Sequence, residues 1–98
     1  MARFDVYRIA DGTLLLDCQA DILSSLDTGF VVPLLPPDGA PVAGYGLNPS
    51  FAVEGKSLVM YTQYAASVPV RDLGPSVASL SAEADTVVNA LDMLISGF

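Results

Sequence analysis

Apolar and polar residues alternate at the start of the chain, and this alternation predicts β-structure. Residues 4–9 (FDVYRI) repeat with a period of two, which is typical of a strand with one buried face. Asp11 and Gly12 follow as a hairpin turn signal. Residues 13–19 then predict a second strand, and their run of leucines indicates burial on both faces. The N-terminal segment is therefore expected to form a β-hairpin.

Further short strands are predicted along the middle of the chain. They are residues 30–35, 57–63 and 66–70, the second of them preceded by a hairpin turn at 54–56. Pro33 is expected at a sheet edge or a bulge, because proline cannot donate to a sheet ladder. Residues 36–49 are rich in proline and glycine, which favours irregular structure.

The C-terminal segment changes to a helical period. Ser81 is the predicted N-cap, and Glu83 and Asp85 lie in the first turn, where the helix dipole favours acids. At about 100° per residue, one arc of roughly 120° holds a set of apolar side chains, which are Val87, Val88, Leu91, Leu94, Ile95 and Phe98. The opposite side is polar, with Asp85, Asn89, Asp92 and Ser96. The patterns together predict a mostly β fold closed by one C-terminal amphipathic helix.

Composition adds one expectation about assembly. The 98 residues are enough for a single domain spanning 1–98. Apolar residues make up 52% and charged residues 15%, against about 45–50% and about 25% in typical soluble domains. A small domain this apolar is not expected to bury everything on itself, so we expect a partner, most simply a second copy in a homodimer.

The charge balance excludes one class of partner. The chain carries 4 basic and 11 acidic residues, a net charge of −7. Its basic residues are Arg3, Arg8, Lys56 and Arg71, which are scattered along the sequence. Wrapping nucleic acid requires clustered Lys and Arg, so direct binding of that kind is not expected. An acidic surface suits solubility, or a basic protein partner.

Side chains for catalysis are scarce. The chain has no histidine, which removes histidine-based nucleophilic catalysis and the common zinc sites. Its one cysteine, Cys18, has apolar neighbours and is expected to be buried and inert. Asp17 and Asp21 are the one pair of carboxylates suited to acid–base work or to a hard cation. We favour the interpretation that both are solvated surface charges.

The tyrosines at 45, 61 and 64 are a second weak signal. They would suit a stacking surface for bases, but no basic residues interleave with them, so packing within the sheet is the favoured interpretation. No catalytic residue, metal site or cofactor is predicted. The residues alone therefore indicate an interaction domain.

Nothing in the sequence predicts a membrane partner. The N-terminus has a charge where a signal peptide needs an apolar run. The longest uncharged stretches are shorter than the roughly 18 apolar residues of a membrane span. We therefore expect a cytoplasmic protein.

Four stretches carry a family resemblance through their order and spacing. They are FDVY at 4–7, DCQADIL at 17–23, VVPL at 31–34, and the run from AASVPV at 65–70 to GF at 97–98. In this order, and at this distance from the C-terminus, they resemble the CcdB family, the toxins of plasmid and chromosomal toxin–antitoxin modules. The resemblance covers nearly the whole chain apart from residues 36–48.

The resemblance implies a fold and a function. The fold is an SH3-like barrel with a five-stranded antiparallel sheet, a small second sheet and a C-terminal helix, assembled as a homodimer. The function is to bind the A subunit of DNA gyrase and trap the cleaved gyrase–DNA complex, which blocks replication without any enzymatic activity. A CcdA-like antitoxin neutralises such toxins, and the pair represses its own operon. Operator DNA is therefore a partner only indirectly, through the antitoxin, and plasmid maintenance is the typical role.

The resemblance also implies a gyrase-binding set, transferred by position. It comprises Ile22, Leu23, Asp92, Ile95, Ser96, Gly97 and Phe98. The family has Asn at the position of Asp92 and Trp at that of Ser96, so both positions depart from the pattern. The loss of an exposed Trp removes a large apolar contact, worth about 2 kcal/mol or more at a hot spot. Phe98 either supplies replacement aromatic surface or packs on the dimer.

Three interpretations of function follow. The first is a gyrase poison like other CcdB proteins. The second, motivated by Ser96 and Asp92, is a CcdB-fold protein that has lost or redirected gyrase poisoning but still dimerises and binds an antitoxin. The third is a ribonuclease, because MazF-type toxins share the fold. The few Lys and Arg residues and the lack of His argue against RNA cleavage.

Overall fold

The computed structural model describes residues 2–37 and 46–97. Within these ranges the chain forms seven strands and one α-helix. They are β1 (Asp5–Arg8), β2 (Leu14–Asp17), β3 (Thr28–Leu35), β4 (Ser50–Val53), β5 (Lys56–Met60), β6 (Ala66–Pro69), β7 (Ser76–Ser79) and α1 (Ala84–Ser96). Short 3-10 turns lie at Asp21–Leu23, Thr62–Tyr64, Val70–Asp72 and Ser81–Glu83. The mostly β fold with one C-terminal helix is confirmed.

The strands form a curled antiparallel sheet, a half-barrel in the order β4-β5-β3-β2-β1-β7. The long strand β3 has two neighbours along one edge: its first half pairs with β6 and its end pairs with β5. The β4–β5 hairpin joins the rest through only two residue pairs, Leu34 with Met60 and Leu35 with Val59. The main sheet and the small second sheet expected from the resemblance are thus continuous in the described residues.

The core lies between one face of the sheet and α1. Alternate residues of the central strands point into it, and Val6, Leu16, Val32 and Met60 are fully buried there. Helix α1 closes the core with a buried set of Val87, Ala90 and Leu91. Each fully buried aliphatic side chain on this face contributes about 1.5–3 kcal/mol to the stability.

The opposite face of the sheet is covered in part by the segment 70–75, which we call the strap. The strap connects β6, beside β3, to β7, beside β1, and it therefore crosses β2. It approaches β1 so closely that a Cβ atom on Gly74 would lie 1.9 Å from the carbonyl oxygen of Arg8. Because the strap covers this face, Leu15 is buried like Leu14 and Leu16, and the predicted burial of β2 on both faces is confirmed.

Strand boundaries differ from the predicted ones where tertiary pairing decides them. Strand β3 begins at Thr28 rather than at residue 30, because β6 pairs with its start. Strand β5 ends at Met60, where the chain enters the Thr62–Tyr64 turn. Strand β7 was not predicted, since its sequence SVAS carries no strand pattern. It forms because β1 offers it an edge.

Pro33 lies in the middle of the central strand, so its predicted place at an edge or bulge is wrong. It is paired with Leu15 of β2, and its carbonyl accepts the N–H of Tyr61 at 3.0 Å. In a strand, the nitrogen and the carbonyl of one residue point to the same side. The nitrogen of Pro33 therefore faces the gap between β5 and β6, where neither of these strands pairs with Pro33. No ladder bond is lost at that point, which is why a proline is tolerated there.

The helix begins differently from the prediction. Ser81 is not its N-cap: the first α-helical residue is Ala84, and no side chain caps the start. Residues Ser81–Glu83 form a 3-10 turn, and the hydroxyl of Ser81 accepts a hydrogen bond from that of Ser79 at 3.2 Å. Asp85 does lie in the first helical turn, as predicted.

Candidate functional site

The C-terminal half of α1 exposes apolar side chains. Ile95 is 74% exposed and Leu94 is 41% exposed, whereas Leu91, one turn earlier, is only 7% exposed. The predicted apolar stripe is therefore buried in the first half of the helix and open to solvent in the second. Asp92 and Ser96 are also exposed. Four of the predicted site residues, from Asp92 to Gly97, thus lie at one exposed helix end.

Gly97 ends the helix. Its φ is +78°, in the left-handed region, and its N–H donates to the carbonyl of Met93 at 3.1 Å. Glycine adopts this conformation without the steric cost that other residues meet, and it commonly terminates helices in this way. The helix geometry therefore explains this glycine without a partner. Phe98, the last residue of the predicted site, lies outside the described residues.

Ile22 and Leu23 lie in the 3-10 turn Asp21–Leu23 between β2 and β3. Ile22 is 88% exposed, and Leu23 and Leu26 are about half exposed. Acidic residues flank these apolar side chains: Asp21 precedes Ile22, and Asp27 follows Leu26. A fully exposed isoleucine at the tip of a short turn is the kind of side chain that anchors a protein partner.

Gln19 ties this turn to the sheet. Its side-chain amide donates to the carbonyls of Leu23 and Thr28, each at 3.1 Å, and its side-chain oxygen accepts the N–H of Phe30 at 3.1 Å. One side chain thus joins both ends of the turn to the start of β3. The sequence analysis missed this role. The sequence feature that could have indicated this role is the position of Gln19, an amide residue directly between a buried strand and a polar turn.

The predicted site is divided between two elements. The turn with Ile22 and Leu23 extends from the β2–β3 connection, whereas α1 follows β7 and packs on the core face of the sheet and on the turn Thr62–Tyr64. The structure thus places the residues predicted from the helix together, and places Ile22 and Leu23 on a separate exposed element.

Asp17 is buried, so the expectation that it is a solvated charge is wrong. It is 2% exposed, and its carboxylate accepts the N–H of Gln19 at 2.9 Å. Burial raises the pKa of Asp17 above its usual value, and the nearby charges of Asp21 and Asp5 raise it further. Asp21 is exposed as expected, and its carboxylate accepts the N–H of Arg3 at 2.7 Å. The role of Asp17 is thus to hold the start of the turn.

Comparison with known protein families matches residues 3–97 to the family described as CcdB protein. The chain belongs to the CcdB family. The match covers nearly all of the chain, including every residue of the predicted site except Phe98. No curated protein sequence matches it significantly.

Solved structures with a similar fold include proteins described as toxins and as endoribonucleases. An endoribonuclease in complex with its cognate antitoxin, from Mycobacterial species, has a TM-score of 0.77 at 13% identity and covers 95% of this chain and 92% of its own. The Mycobacterium tuberculosis toxin MazF-mt6 has a TM-score of 0.70 at 15% identity and covers 90% of each chain. At such low identity these similarities show the shared fold alone.

Two of the four basic side chains of this CcdB family member, those of Arg3 and Arg8, make contacts within the fold. The guanidinium of Arg3 lies 4.7 Å from the centre of the Phe4 ring, and its Nε donates to the carbonyl of Cys18 at 3.2 Å. Arg8 forms an ion pair with Glu54. Lys56 and Arg71 are exposed, and two separate cations are fewer than the clustered Lys and Arg residues that a polyanion requires.

Reactive side chains are also inaccessible. Cys18 is buried as predicted, and burial raises its pKa to about 12, so the thiol stays protonated and inert. The rings of Tyr61 and Tyr64 lie 5.3 Å apart; Tyr61 is 4% exposed, which supports packing within the fold for that residue, whereas Tyr64 is 59% exposed. Tyr45, the third tyrosine of that prediction, lies outside the described residues.

Across residues 2–37 and 46–97, no group of three His, Cys, Asp or Glu side chains is arranged to hold a metal ion. In the same part of the chain, no helix is long and apolar enough to span a bilayer.

Proposed function

We propose that this protein is the toxin of a toxin–antitoxin pair and that it binds the A subunit of DNA gyrase. On this proposal it traps the cleaved gyrase–DNA complex and acts without catalysis, in the cytoplasm, as a homodimer. Membership of the CcdB family supports the toxin assignment. A cognate antitoxin is bound in one structure that shares the fold, which supports an antitoxin partner. Operator DNA would be reached only through that antitoxin.

The exposed end of α1 is the observation that carries the gyrase assignment. Ile95 is 74% exposed although it continues the apolar stripe of the helix, and it lies between the exposed residues Asp92 and Ser96. Leu94 and Ile95 are exposed side by side at this helix end, and neighbouring exposed apolar side chains of this kind suit a contact with a protein partner. We assign Ile95, Ser96, Gly97 and Phe98 to the gyrase contact, with Asp92 at its edge.

Ile22 and Leu23 form the second part of the proposed contact. Gln19 holds their turn in place through three hydrogen bonds, so little conformational entropy is lost when a partner binds there. Exposed apolar side chains also remain at Leu26 and Tyr64. We propose that these are available to a second copy of the chain.

The decisive experiment is calorimetric titration of the purified protein with the dimerisation region of its host's gyrase A subunit. The variant Ser96→Trp restores the aromatic residue typical of the family. Asn89→Trp is the matched control, because it adds the same side chain to an exposed position about two turns earlier. We expect micromolar or tighter binding by the wild type, and roughly thirtyfold tighter binding by Ser96→Trp only, since about 2 kcal/mol corresponds to that factor.

The other possible results of this titration would support different conclusions about the function. Binding by Ser96→Trp but not by the wild type would favour the alternative, a protein that retains the fold and its antitoxin but has lost gyrase poisoning. Binding by neither protein would refute gyrase as the target. Equal gains from both tryptophan variants would show that the added aromatic surface, rather than its position, determines the affinity.

The shared fold with endoribonucleases favours a second candidate, RNA cleavage. The lack of histidine and the engagement of Arg3 and Arg8 in internal contacts oppose it. Incubation of the purified protein with cellular RNA tests it directly. Cleavage at defined sites that disappears when the antitoxin is added would establish this candidate in place of the non-enzymatic one.

A further inference from the structure

The strap leaves a hollow between itself and the sheet, on the face opposite α1. The hollow has a volume of about 560 Å³, which is the size of a pocket for several side chains. Its apolar lining comes from the β1–β2 hairpin, from β6 and from the strap itself. These lining residues are Ile9, Ala10, Leu15, Val68 and Leu73.

The walls of this hollow are anchored, so its shape is formed before any partner arrives. At one end of the strap, Val70 donates its N–H to the carbonyl of Asp27 at 2.8 Å. At the other end, the carbonyl of Pro75 accepts the N–H of Arg8 at 3.1 Å. Between them, Gly74 lies against the backbone of β1, where no side chain would fit.

The rim of the hollow is acidic. Asp11 is on it, and its carboxylate accepts the N–H of Thr13 at 2.8 Å, which lowers the pKa of Asp11 and keeps it ionised. Asp72 is also on the rim. Its neighbour Arg71, 4.0 Å away, also lines the hollow, so the charged side chains of the lining, Asp11, Asp72 and Arg71, leave a net charge of −1.

A neighbouring hollow adds a further acidic side chain to this surface. A second hollow, of about 360 Å³, borders the same Arg71 and is lined by Asp27, Thr28, Pro69 and Val70. The two hollows therefore share one arginine and carry three aspartates. Within a chain of net charge −7, the local potential favours a positively charged partner.

We propose that the strap hollow, which consists of Ile9, Ala10, Leu15, Val68 and Leu73 with Asp11 and Asp72 on its rim, binds a basic segment of the antitoxin. Apolar side chains of that segment fill the hollow, and its Lys or Arg residues meet the two aspartates. This inference rests on the proposed function, because it assigns a surface to the proposed antitoxin. The antitoxin surface is thus distinct from the end of α1, which lies on the other face of the sheet and which we assign to the gyrase contact.

The test is titration of the protein with the purified product of the reading frame beside its own gene, which is the antitoxin expected under the proposed function. Asp72→Lys reverses a rim charge, and Ala10→Trp fills the hollow without changing the charge. Asp85→Lys is the matched control, since it changes the net charge as Asp72→Lys does but lies on the exposed side of α1. All three positions are exposed, so the fold is expected to persist, and circular dichroism melts check that it does.

We expect Asp72→Lys and Ala10→Trp each to weaken binding by about tenfold or more, and Asp85→Lys by about twofold at most. Equal weakening by the two lysine variants, or wild-type affinity in Ala10→Trp, would overturn the assignment of the hollow. A change in the oligomeric state of Ala10→Trp would also overturn it, by showing that a second copy occupies the hollow. No binding by the wild type would instead contradict the antitoxin partnership of the proposed function, and the assignment with it.

Discussion

Replacing Gln19 with alanine should loosen the turn that presents Ile22. The substitution removes three hydrogen bonds, two to carbonyls near the surface and one from the partly buried N–H of Phe30. Water can replace the first two, so we assign each about 0.5 kcal/mol. The N–H of Phe30 loses its partner in a place that water reaches poorly, which costs about 1–2 kcal/mol. The expected loss of unfolding free energy is therefore about 2–3 kcal/mol.

The assay is urea and thermal unfolding followed by circular dichroism. In a domain of this size, 1 kcal/mol shifts the melting temperature by about 4–8 °C, so Gln19→Ala should melt roughly 10–20 °C below the wild type. Gln63→Ala is the matched control, because the exposed Gln63 side chain accepts one hydrogen bond from Asn48. Its expected cost is about 0.5 kcal/mol.

Hydrogen exchange locates the effect. In Gln19→Ala, the amide of Phe30 should lose protection while the core amide of Val32 keeps most of its own. If Gln19→Ala and Gln63→Ala lost equally little stability, the three bonds would not hold the turn, and the reasoning about a prearranged Ile22 would fail.

Three further predictions concern burial. Leu91→Ala should cost about 2–5 kcal/mol of unfolding free energy because Leu91 is buried, whereas Ile95→Ala should cost less than about 1 kcal/mol. Urea titrations measure both, and a large Ile95 loss that varies with protein concentration would instead place Ile95 between two copies. Because burial raises the pKa of Asp17, the folded protein keeps that proton to higher pH than the unfolded chain does. The unfolding free energy should therefore fall as pH rises from about 3.9 to the raised value, and Asp17→Asn should abolish that fall in unfolding curves measured across this range. An unchanged pH profile in Asp17→Asn would assign the effect to other groups. With its pKa raised to about 12, the Cys18 thiol should react very slowly with iodoacetamide near pH 8 in the folded protein and readily in urea, as mass spectrometry would show. Equal rates in both conditions would contradict its burial.

Local patterns predicted most of the elements. The period of two at the start placed β1, the Asp11-Gly12 turn placed the first hairpin, and the turn at 54–56 placed the hairpin of β4 and β5. Each of these signals is carried by neighbouring residues, so no knowledge of the rest of the chain is needed. The exposure of Ser96 also followed from its position opposite the apolar stripe of the helix.

Predictions failed where distant segments decide the outcome. Asp17 has the same local pattern as a surface carboxylate, but the strap and the turn after β2 enclose it. Ser81 has the composition of an N-cap, yet the chain arrives there in a 3-10 turn held by the N–H of Glu83 and the carbonyl of Leu80. The anchoring bonds of Gln19 join residues up to eleven positions apart, which no local pattern encodes.

The sequence by itself determined the fold class, the C-terminal helix, the inert cysteine and the family, because periodicity, turn chemistry and motif order are all properties of residues near one another in the chain. Only the tertiary structure decided that the apolar stripe of α1 is half exposed, since Val87, Ala90 and Leu91 enter the core and Leu94 and Ile95 do not. It likewise decided that the strap leaves an acid-rimmed hollow on the face opposite α1, because that hollow exists only once β6 and β7 have paired with strands far from them in the sequence.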